Sequence, residues 1–342
     1  QDQIWICADN GIGYVEDGIF TKMENIPMNN SIEHVMTDYE GNLWFSSSRQ
    51  GVMKIVPNQF SDIFKRCSLS ETVVNSTCYD NGKLFIATDT GLTVLDENGF
   101  LTDMPLIRAE TVSGVDLGEK DLIKLLDGCR IRSVIRDSKG RIWVATNDNG
   151  VVVIDGAESM HFTYKDGLPS SSIRVFAEDK EGDIYIGTTA GVCYVNPQME
   201  LFVIDDERIN EERVLKLDSD QTGRIYGQTK NGIIFLIEDH KVSEVYESDA
   251  LGMGKITTIL ADPLHDGKIY LGTENDVIYY GNFGDDVSRM RQISVAPVKN
   301  VHWLNFDCGR VWVSSETVAG YLDENEHFCV LSDIPMDSAI EM

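Results

Sequence analysis

One set of side chains recurs at a fixed spacing and could bind a small polar ligand. Each member lies five residues before a repeated aspartate, and the members are Glu33, Asn75, Arg132, Arg174, Leu215, Thr257 and His302. All except Leu215 offer hydrogen-bond donors, acceptors or charge. Trp303 follows His302 and lies outside the position that the other four tryptophans share, so its ring could stack on a ligand. We interpret six residues as ligand-binding candidates: Trp303, His302, Arg174, Arg132, Glu33 and Asn75. The alternative is that these side chains contact only ordinary solvent.

The aspartates of this spacing could also be taken for catalytic carboxylates. They stand shortly before a glycine, as Asp137 does before Gly140, and this is typical of tight turns. The segment that starts at Asp218 resembles a calcium loop, but its twelfth residue is Thr229 and not glutamate. The six histidines show no metal-binding spacing, and no G-x-S-x-G, P-loop or dinucleotide motif occurs. The sequence therefore predicts no catalytic residue, no bound metal and no cofactor.

These positions belong to a repeat of about 42 residues that runs along the chain. Its eight copies centre on an aromatic residue within an apolar run, and these residues are Trp5, Trp44, Phe85, Trp143, Tyr185, Tyr226, Tyr270 and Trp312. A branched apolar residue precedes the aspartate turn, and a threonine or serine precedes a second turn. The pattern predicts four short strands per copy, joined by tight turns. Repeats of this length with four strands are typical of propeller blades.

The sequence thus predicts an all-β fold, a β-propeller of eight four-stranded blades in a single domain over residues 1–342. The first copy lacks its opening strand, and Ser338–Met342 resemble the segment that begins at Ser31. We therefore expect the C-terminal strand to complete the N-terminal blade and close the ring. The alternative is a fragment cut from a longer tandem array. Because four tryptophans share one repeat position, they are predicted to pack between blades.

An insertion interrupts the repeat at residues 102–130. The spacing from Phe85 to Trp143 is 58 residues, and the excess falls in this segment. Residues 119–128 are predicted to form a short amphipathic helix that ends at Gly128. Insertions in repeat proteins form loops, often on the binding face. This one is either a docking element or a plain surface loop within one blade connection.

Composition argues against several classes of partner. Among 342 residues, 29 Lys and Arg stand against 56 Asp and Glu, which gives a net charge of −27. Such a charge disfavours nucleic acid, anionic membrane surfaces and strongly anionic ligands. The seven cysteines are odd in number and form no C-x-x-C pair, which argues against a disulfide framework. The chain has no long apolar run, no signal peptide and no initial Met, so we expect a trimmed part of a longer protein.

The repeat resembles the two-component regulator propeller family over nearly the whole chain. Residues 131–146 and 173–188 follow its blade pattern, and residues 167–173 match its inter-blade signature G-L-P-x-x-x-I. The resemblance implies a propeller in the extracytoplasmic sensor region of a bacterial signalling receptor, in the periplasm or at the cell surface. It also implies a membrane anchor in the full-length protein, a histidine kinase or diguanylate cyclase as the output domain, and a homodimer. In gut bacteria many such propellers respond to oligosaccharides.

The leading hypothesis is a non-enzymatic sensor domain. It would bind a small, neutral polar ligand such as an oligosaccharide and signal to the separate output domain. A propeller lyase or hydrolase is one alternative, with His302 and Glu33 as acid and base at the channel mouth. A protein-interaction scaffold that docks through residues 102–130 is the other. No nucleic-acid partner is expected.

Overall fold

The computed structural model describes residues 4–16, 18–23, 26–38, 42–55, 63, 67, 69–70, 72–315 and 318–331. Within these residues the chain forms thirty β-strands, one short α-helix and two 3-10 helices, so the all-β prediction is confirmed. The chain divides into two compact units, residues 1–63 and residues 64–342. The expectation of a single domain over 1–342 stays a prediction. The proposed closing strand at 338–342 lies outside the described residues.

The first unit contains two antiparallel three-stranded sheets, each in chain order. Their strands are β1 (Ile4–Ala8), β2 (Gly11–Glu16), β3 (Ile19–Lys22), β4 (Ile32–Thr37), β5 (Leu43–Ser47) and β6 (Gly51–Ile55). Ile12, Met28, Ile32 and Phe45 form its buried core, and Trp5 packs edge-on against Phe45. The repeat aromatic of the first copy therefore fills the space between the two sheets of this unit.

The second unit contains six sheets. Three successive strands, β7 (Val74–Asp80), β8 (Lys83–Thr88) and β9 (Gly91–Leu95), form the first. The next comprises β10 (Arg108–Thr111), β11 (Ile131–Arg136), β12 (Ile142–Thr146), β13 (Val151–Asp155) and β14 (Glu158–Phe162). Four four-stranded sheets follow: β15 (Ile173–Glu178), β16 (Ile184–Thr188), β17 (Gly191–Val195) and β18 (Leu201–Ile204); β19 (Val214–Ser219), β20 (Ile225–Thr229), β21 (Ile233–Glu238) and β22 (Lys241–Glu247); β23 (Ile256–Ala261), β24 (Lys268–Thr273), β25 (Val277–Asn282) and β26 (Arg291–Ser294); β27 (Trp303–Asp307), β28 (Arg310–Ser314), β29 (Ala319–Leu322) and β30 (Phe328–Val330).

The sheet that begins with β11 shows how the repeat folds. Asp137 follows β11 and accepts hydrogen bonds from the backbone N–H groups of Lys139 and Arg141, which makes the tight turn. All five residues of β12 are buried, because neighbouring sheets cover both of its faces. Trp143 stacks on Phe162 of its own sheet and meets Phe176 of the next sheet edge-on. The predicted packing of the repeat aromatic between sheets is confirmed at this residue.

The insertion explains why the strand number departs from four in two sheets of the second unit. After β9 the chain makes only an isolated bridge, Leu95 to Leu101, and then leaves its sheet. It re-enters as β10, which pairs in parallel with β14 and becomes a fifth strand of the following sheet. The helix α1 (Leu122–Leu125) is shorter than predicted, and the Asp121 side chain caps its N-terminus by accepting from the backbone N–H of Lys124.

Candidate ligand-binding site

The first strands of all six sheets in the second unit line one cavity of about 450 Å³, here called the inner cavity. These strands are β7, β11, β15, β19, β23 and β27. Each is the first strand of its repeat, the one that carries the polar candidates. Residues from six different repeats therefore reach a single space, which no single sheet could enclose.

A β-bulge lies at the start of five of these strands and fixes the orientation of the candidate side chains. The extra residue in each bulge is Asn75, Arg132, Arg174, Leu215 or Thr257. Glu33 occupies the same bulge position in the first unit. A bulge re-aims one side chain and increases the local twist of its strand. The spacing of five residues before the aspartate is thus the spacing from bulge to turn.

Two of the bulge side chains hold neighbouring sheets together. The Asn75 amide donates to the Ile131 carbonyl at 2.8 Å and to Asp89 at 2.8 Å. In the same way the Thr257 hydroxyl donates to the Val301 carbonyl at 2.5 Å. Both acceptors sit just before the bulge-equivalent residue of the next sheet. The Asn75 amide nitrogen therefore serves the scaffold, while its side-chain oxygen lies 3.5 Å from an Arg132 nitrogen.

Arg174 is the least satisfied of the candidates. Its side chain is partly buried, and its Nε atom is fully buried without a hydrogen-bond partner among the described residues. Burial lowers the pKa of the Arg174 guanidinium, and the nearby positive charges of Arg132, Arg213 and Arg130 lower it further. Four arginines therefore share one region, and their repulsion would be relieved by an anion.

Trp303 and His302 lie at a second, more open cavity of about 670 Å³, here called the rim cavity. The Lys216 ammonium lies over the Trp303 ring, and both residues also line the inner cavity. The Trp303 Nε1 atom is buried and has no acceptor among the described residues. The Asn300 amide donates to the His302 ring at 2.6 Å. Gln228 also lines the rim cavity, is 1% exposed, and has an unpartnered carbonyl oxygen within the described part of the chain.

The sequence candidates thus fall into two groups. Asn75, Arg132, Arg174, His302 and Trp303 all lie where the inner strands of the second unit begin. Glu33 is an exposed residue of β4 in the first unit. Whether any of the six binds a ligand stays a prediction.

Sequence reasoning missed Lys216, Gln228 and Asp218. A signal for Lys216 was present, because it stands four residues before its aspartate, the repeat position that Trp303 also occupies. Gln228 replaces the small or apolar residue that precedes the threonine in most other copies. Asp218 had no such signal, since its neighbour Asp220 is the turn residue.

Asp218 is an ionisable group in the wall of the inner cavity. Burial raises the pKa of the Asp218 carboxyl to about 6, and Asp220 also raises it. Backbone N–H groups of Ala261, at 2.7 Å, and Ser219, at 3.0 Å, and the charge of Lys216 partly oppose that shift. The carboxyl therefore changes charge close to neutral pH.

We expect Asp218→Asn to stabilise the folded chain relative to wild type as pH rises from 4 to 7.5. The pKa is raised in the folded state, so between about pH 4 and 6 the folded chain binds more protons than the unfolded chain and loses stability as pH rises. Asparagine removes that loss, which amounts to up to about 3 kcal/mol. Melting temperatures of both proteins across this pH range test it. Asp155→Asn, at an exposed strand end, is the control. A pH-independent difference between Asp218→Asn and wild type would contradict the prediction.

A second polar cluster lies in the same unit at a separate pocket. Ligand atoms of Asp179, Asp183 and His240 lie within 4.8 Å of one another. Asp183 pairs with the His240 ring at 2.7 Å, and that ring stacks on Tyr194. The sequence did not reveal this cluster, because 57 residues separate Asp183 from His240. The prediction that no metal binds stays a prediction.

Comparison with known proteins supports the assignment of the repeats. The family model named Two component regulator propeller matches residues 125–148 and 167–190. No curated protein sequence matches the chain significantly. Within the described residues no helix is long and apolar enough to span a membrane.

Solved structures with similar folds include extracellular domains of two component systems and a lyase. The extracellular domain of the hybrid two component system BT3049 from B. thetaiotaomicron is 21% identical, with a TM-score of 0.65 over 98% of this chain and 46% of that one. The extracellular domain of BT4673 from the same organism is 14% identical, with a TM-score of 0.50 over 98% and 55%.

Virginiamycin B lyase from Staphylococcus aureus is 12% identical, with a TM-score of 0.59 over 79% of this chain and 87% of that one. This chain spans about half the length of the two extracellular domains. At these identities the likeness establishes the fold and no activity. The chain is therefore a β-propeller, and its segments 125–148 and 167–190 match the model of the two component regulator propeller family.

Proposed function

We propose that this chain is the ligand-sensing extracellular region of a bacterial signalling receptor. It binds a small polar ligand, such as an oligosaccharide, where the inner strands of the second unit begin. The observation that carries the proposal is the inner cavity of about 450 Å³, which the first strands of six repeats line with polar side chains such as Asn75, Lys216 and Asp218. Polar side chains that converge on one cavity are typical of sites for small polar ligands.

The similar structures support the receptor context. Two of them are extracellular domains of signalling systems, and both are about twice as long as this chain. We therefore propose that the full-length protein also has an output domain, a membrane anchor and a homodimer contact. Signalling requires that the ligand binds two states of the propeller with different affinity.

The contacts of Trp303 refine how a sugar would bind. Lys216 covers one face of the indole ring, so stacking is limited to the other face. The indole ring lines both cavities, so its uncovered face offers a stacking surface to a sugar ring. Both cavities are large enough for such a ligand, because ligand sites usually have volumes of about 300–1,000 Å³.

A thermal-shift screen with purified oligosaccharides tests the proposal. A ligand that binds only the folded chain raises the melting temperature with its concentration. We expect one sugar class to do so, and we expect Trp303→Phe to weaken that ligand about tenfold, because the smaller ring loses part of the stacking surface that lines both cavities. Trp312→Phe, the same change at a repeat position outside both cavities, should leave the affinity unchanged. The absence of any shift across the panel would contradict direct sugar sensing.

The scaffold alternative has one observation in its favour. Ile107 and Val115 of the insertion are 74% and 60% exposed. Exposed apolar side chains of this kind mark protein contacts when they form a patch. For the enzymatic alternative, His302 lies in the second unit and Glu33 in the first, and the similarity to a lyase concerns the fold.

A further inference from the structure

Positive charge is concentrated at one end of the inner strands, although the whole chain carries a net charge of −27. Seven basic side chains belong to this end, here called the cationic rim, and they are Arg130, Arg132, Arg174, Arg213, Lys216, Lys230 and Lys255. Acidic residues of the same end include Asp89, Asp127, Asp148, Glu211, Glu212, Glu274 and Asp276. Basic side chains are therefore clustered at this end, although the chain as a whole is acidic.

The repeat topology brings these residues together. Arg130, Arg213 and Lys255 directly precede β11, β19 and β23. Lys230 directly follows β20, which is antiparallel to β19, and its backbone N–H donates to the Arg213 carbonyl at 2.8 Å. Strand starts and the ends of their antiparallel partners meet at one edge. The rim is thus one surface built from several repeats.

Among the described residues, two guanidinium groups of the rim lack a carboxylate partner. Arg130 pairs with Asp89 at 2.7 Å. In the described part of the chain, neither Arg174 nor Arg213 has a carboxylate within ion-pair distance. Both are partly buried, so solvent neutralises them less well than it does an exposed arginine. Like charges held this close disfavour the folded state unless a counter-charge binds.

The rim cavity offers space for an anion next to Arg213, whose carbonyl accepts from the backbone N–H of Lys230 in the cavity wall. Lys216, Lys230 and Lys255 line it, with Glu274 as its acidic member. Thr257 and Asn300 also line it, and their polar side chains suit hydroxyl groups of the same ligand. A ligand seated there would meet positive charge at its anionic groups and neutral hydrogen-bonding groups elsewhere.

We propose that the cationic rim binds a small ligand carrying two or more carboxylate or sulfate groups. This inference rests on the proposed sensor function and names the class of ligand. An anionic ligand differs from the neutral ligand that the net charge of the chain led us to expect. Net charge averages over the whole surface, whereas salt screens charges beyond about 8 Å, so local charge governs binding. Arginine binds carboxylate and sulfate through paired N–H donors, which fits the guanidinium cluster.

Matched sugar pairs test the inference by isothermal titration. The probes are digalacturonate with galactobiose, and N-acetylglucosamine 6-sulfate with N-acetylglucosamine, with sodium sulfate as the inorganic arm. We expect at least one acidic member to bind about tenfold or more tightly than its neutral counterpart. Its affinity should fall as salt concentration rises. Sulfate binding as tight as that of the sulfated sugar would identify a free anion as the ligand and would leave the sugar frame without a role.

Variants connect that preference to the rim. Arg174→Ala and Arg213→Ala should each weaken the acidic probe about tenfold, while Arg289→Ala, at an exposed remote position, should not. Two rim variants are used so that the test still stands if one of them does not fold. Equal binding of acidic and neutral probes, unaffected by either rim variant, would overturn the anion inference and leave the sensor function standing. No binding by any probe would contradict both.

Discussion

Asp137→Ala is expected to lower the free energy of unfolding by about 3–5 kcal/mol. The Asp137 carboxyl is 1% exposed, and its Oδ2 atom accepts from Arg141 Nε at 2.6 Å and from Trp143 Nε1 at 2.8 Å. Burial alone would raise the pKa of this carboxyl, but the hydrogen bonds from Trp143 and Arg141 outweigh it and lower the pKa. Alanine would leave the buried Arg141 charge and the indole N–H without their acceptor.

Asp96 provides a matched control for this substitution. Its turn has the same two backbone hydrogen bonds to one carboxylate oxygen, from Asn98 at 2.9 Å and Phe100 at 2.8 Å. No side chain of the described residues donates to Asp96. Asp96→Ala should therefore cost about 1 kcal/mol, the typical value of a turn hydrogen bond. Equal losses for the two variants in urea unfolding would show that the Arg141 and Trp143 contacts contribute nothing.

Gly150→Ala is expected to destabilise the chain by about 3–5 kcal/mol. Gly150 closes the turn between β12 and β13 with φ of +77°, where a side chain is strained. A Cβ atom there would collide with the Phe162 carbonyl oxygen and would lie 3.2 Å from Leu168 Cδ1. The backbone cannot move away easily, because the Gly150 N–H donates to the Ser171 carbonyl at 2.9 Å.

Gly128→Ala separates the cost of the left-handed backbone from the cost of the collision. Its φ of +72° is nearly the same, but no atom lies within 4 Å of the Cβ position. This variant should lose only about 1 kcal/mol, the cost of the left-handed conformation. Denaturant unfolding of both variants gives the comparison. A loss at Gly150 no larger than that at Gly128 would mean that the turn can open and relieve the collision.

The regular parts of the fold were predictable because local chemistry repeats. Asp137 and Gly140 define a turn by themselves, and the alternation around Trp143 defines the strand that follows. The parallel pairing of β10 with β14 was not predictable, because its contacts join residues about 50 positions apart. The insertion sequence contains no signal that names its partner strand.

The position of the candidate site was predictable from the repeat, but its local charge was not. The repeat placed Arg132 and Arg174 correctly at the start of inner strands, since a bulge at a fixed distance from the turn recurs in each sheet. The sign of the local charge was missed, because a net charge of −27 says nothing about where the basic residues gather. Arg213 and Lys230 meet only after β19 and β20 pair.

The central claim is that a small ligand binds where the inner strands of the second unit begin. A crystal structure grown with the oligosaccharide that produces the largest thermal shift tests this claim most directly. The account predicts ligand density in contact with Trp303 and with Arg174 or Lys216. Ordered ligand at another place on the chain, with only solvent at the rim cavity, would contradict it.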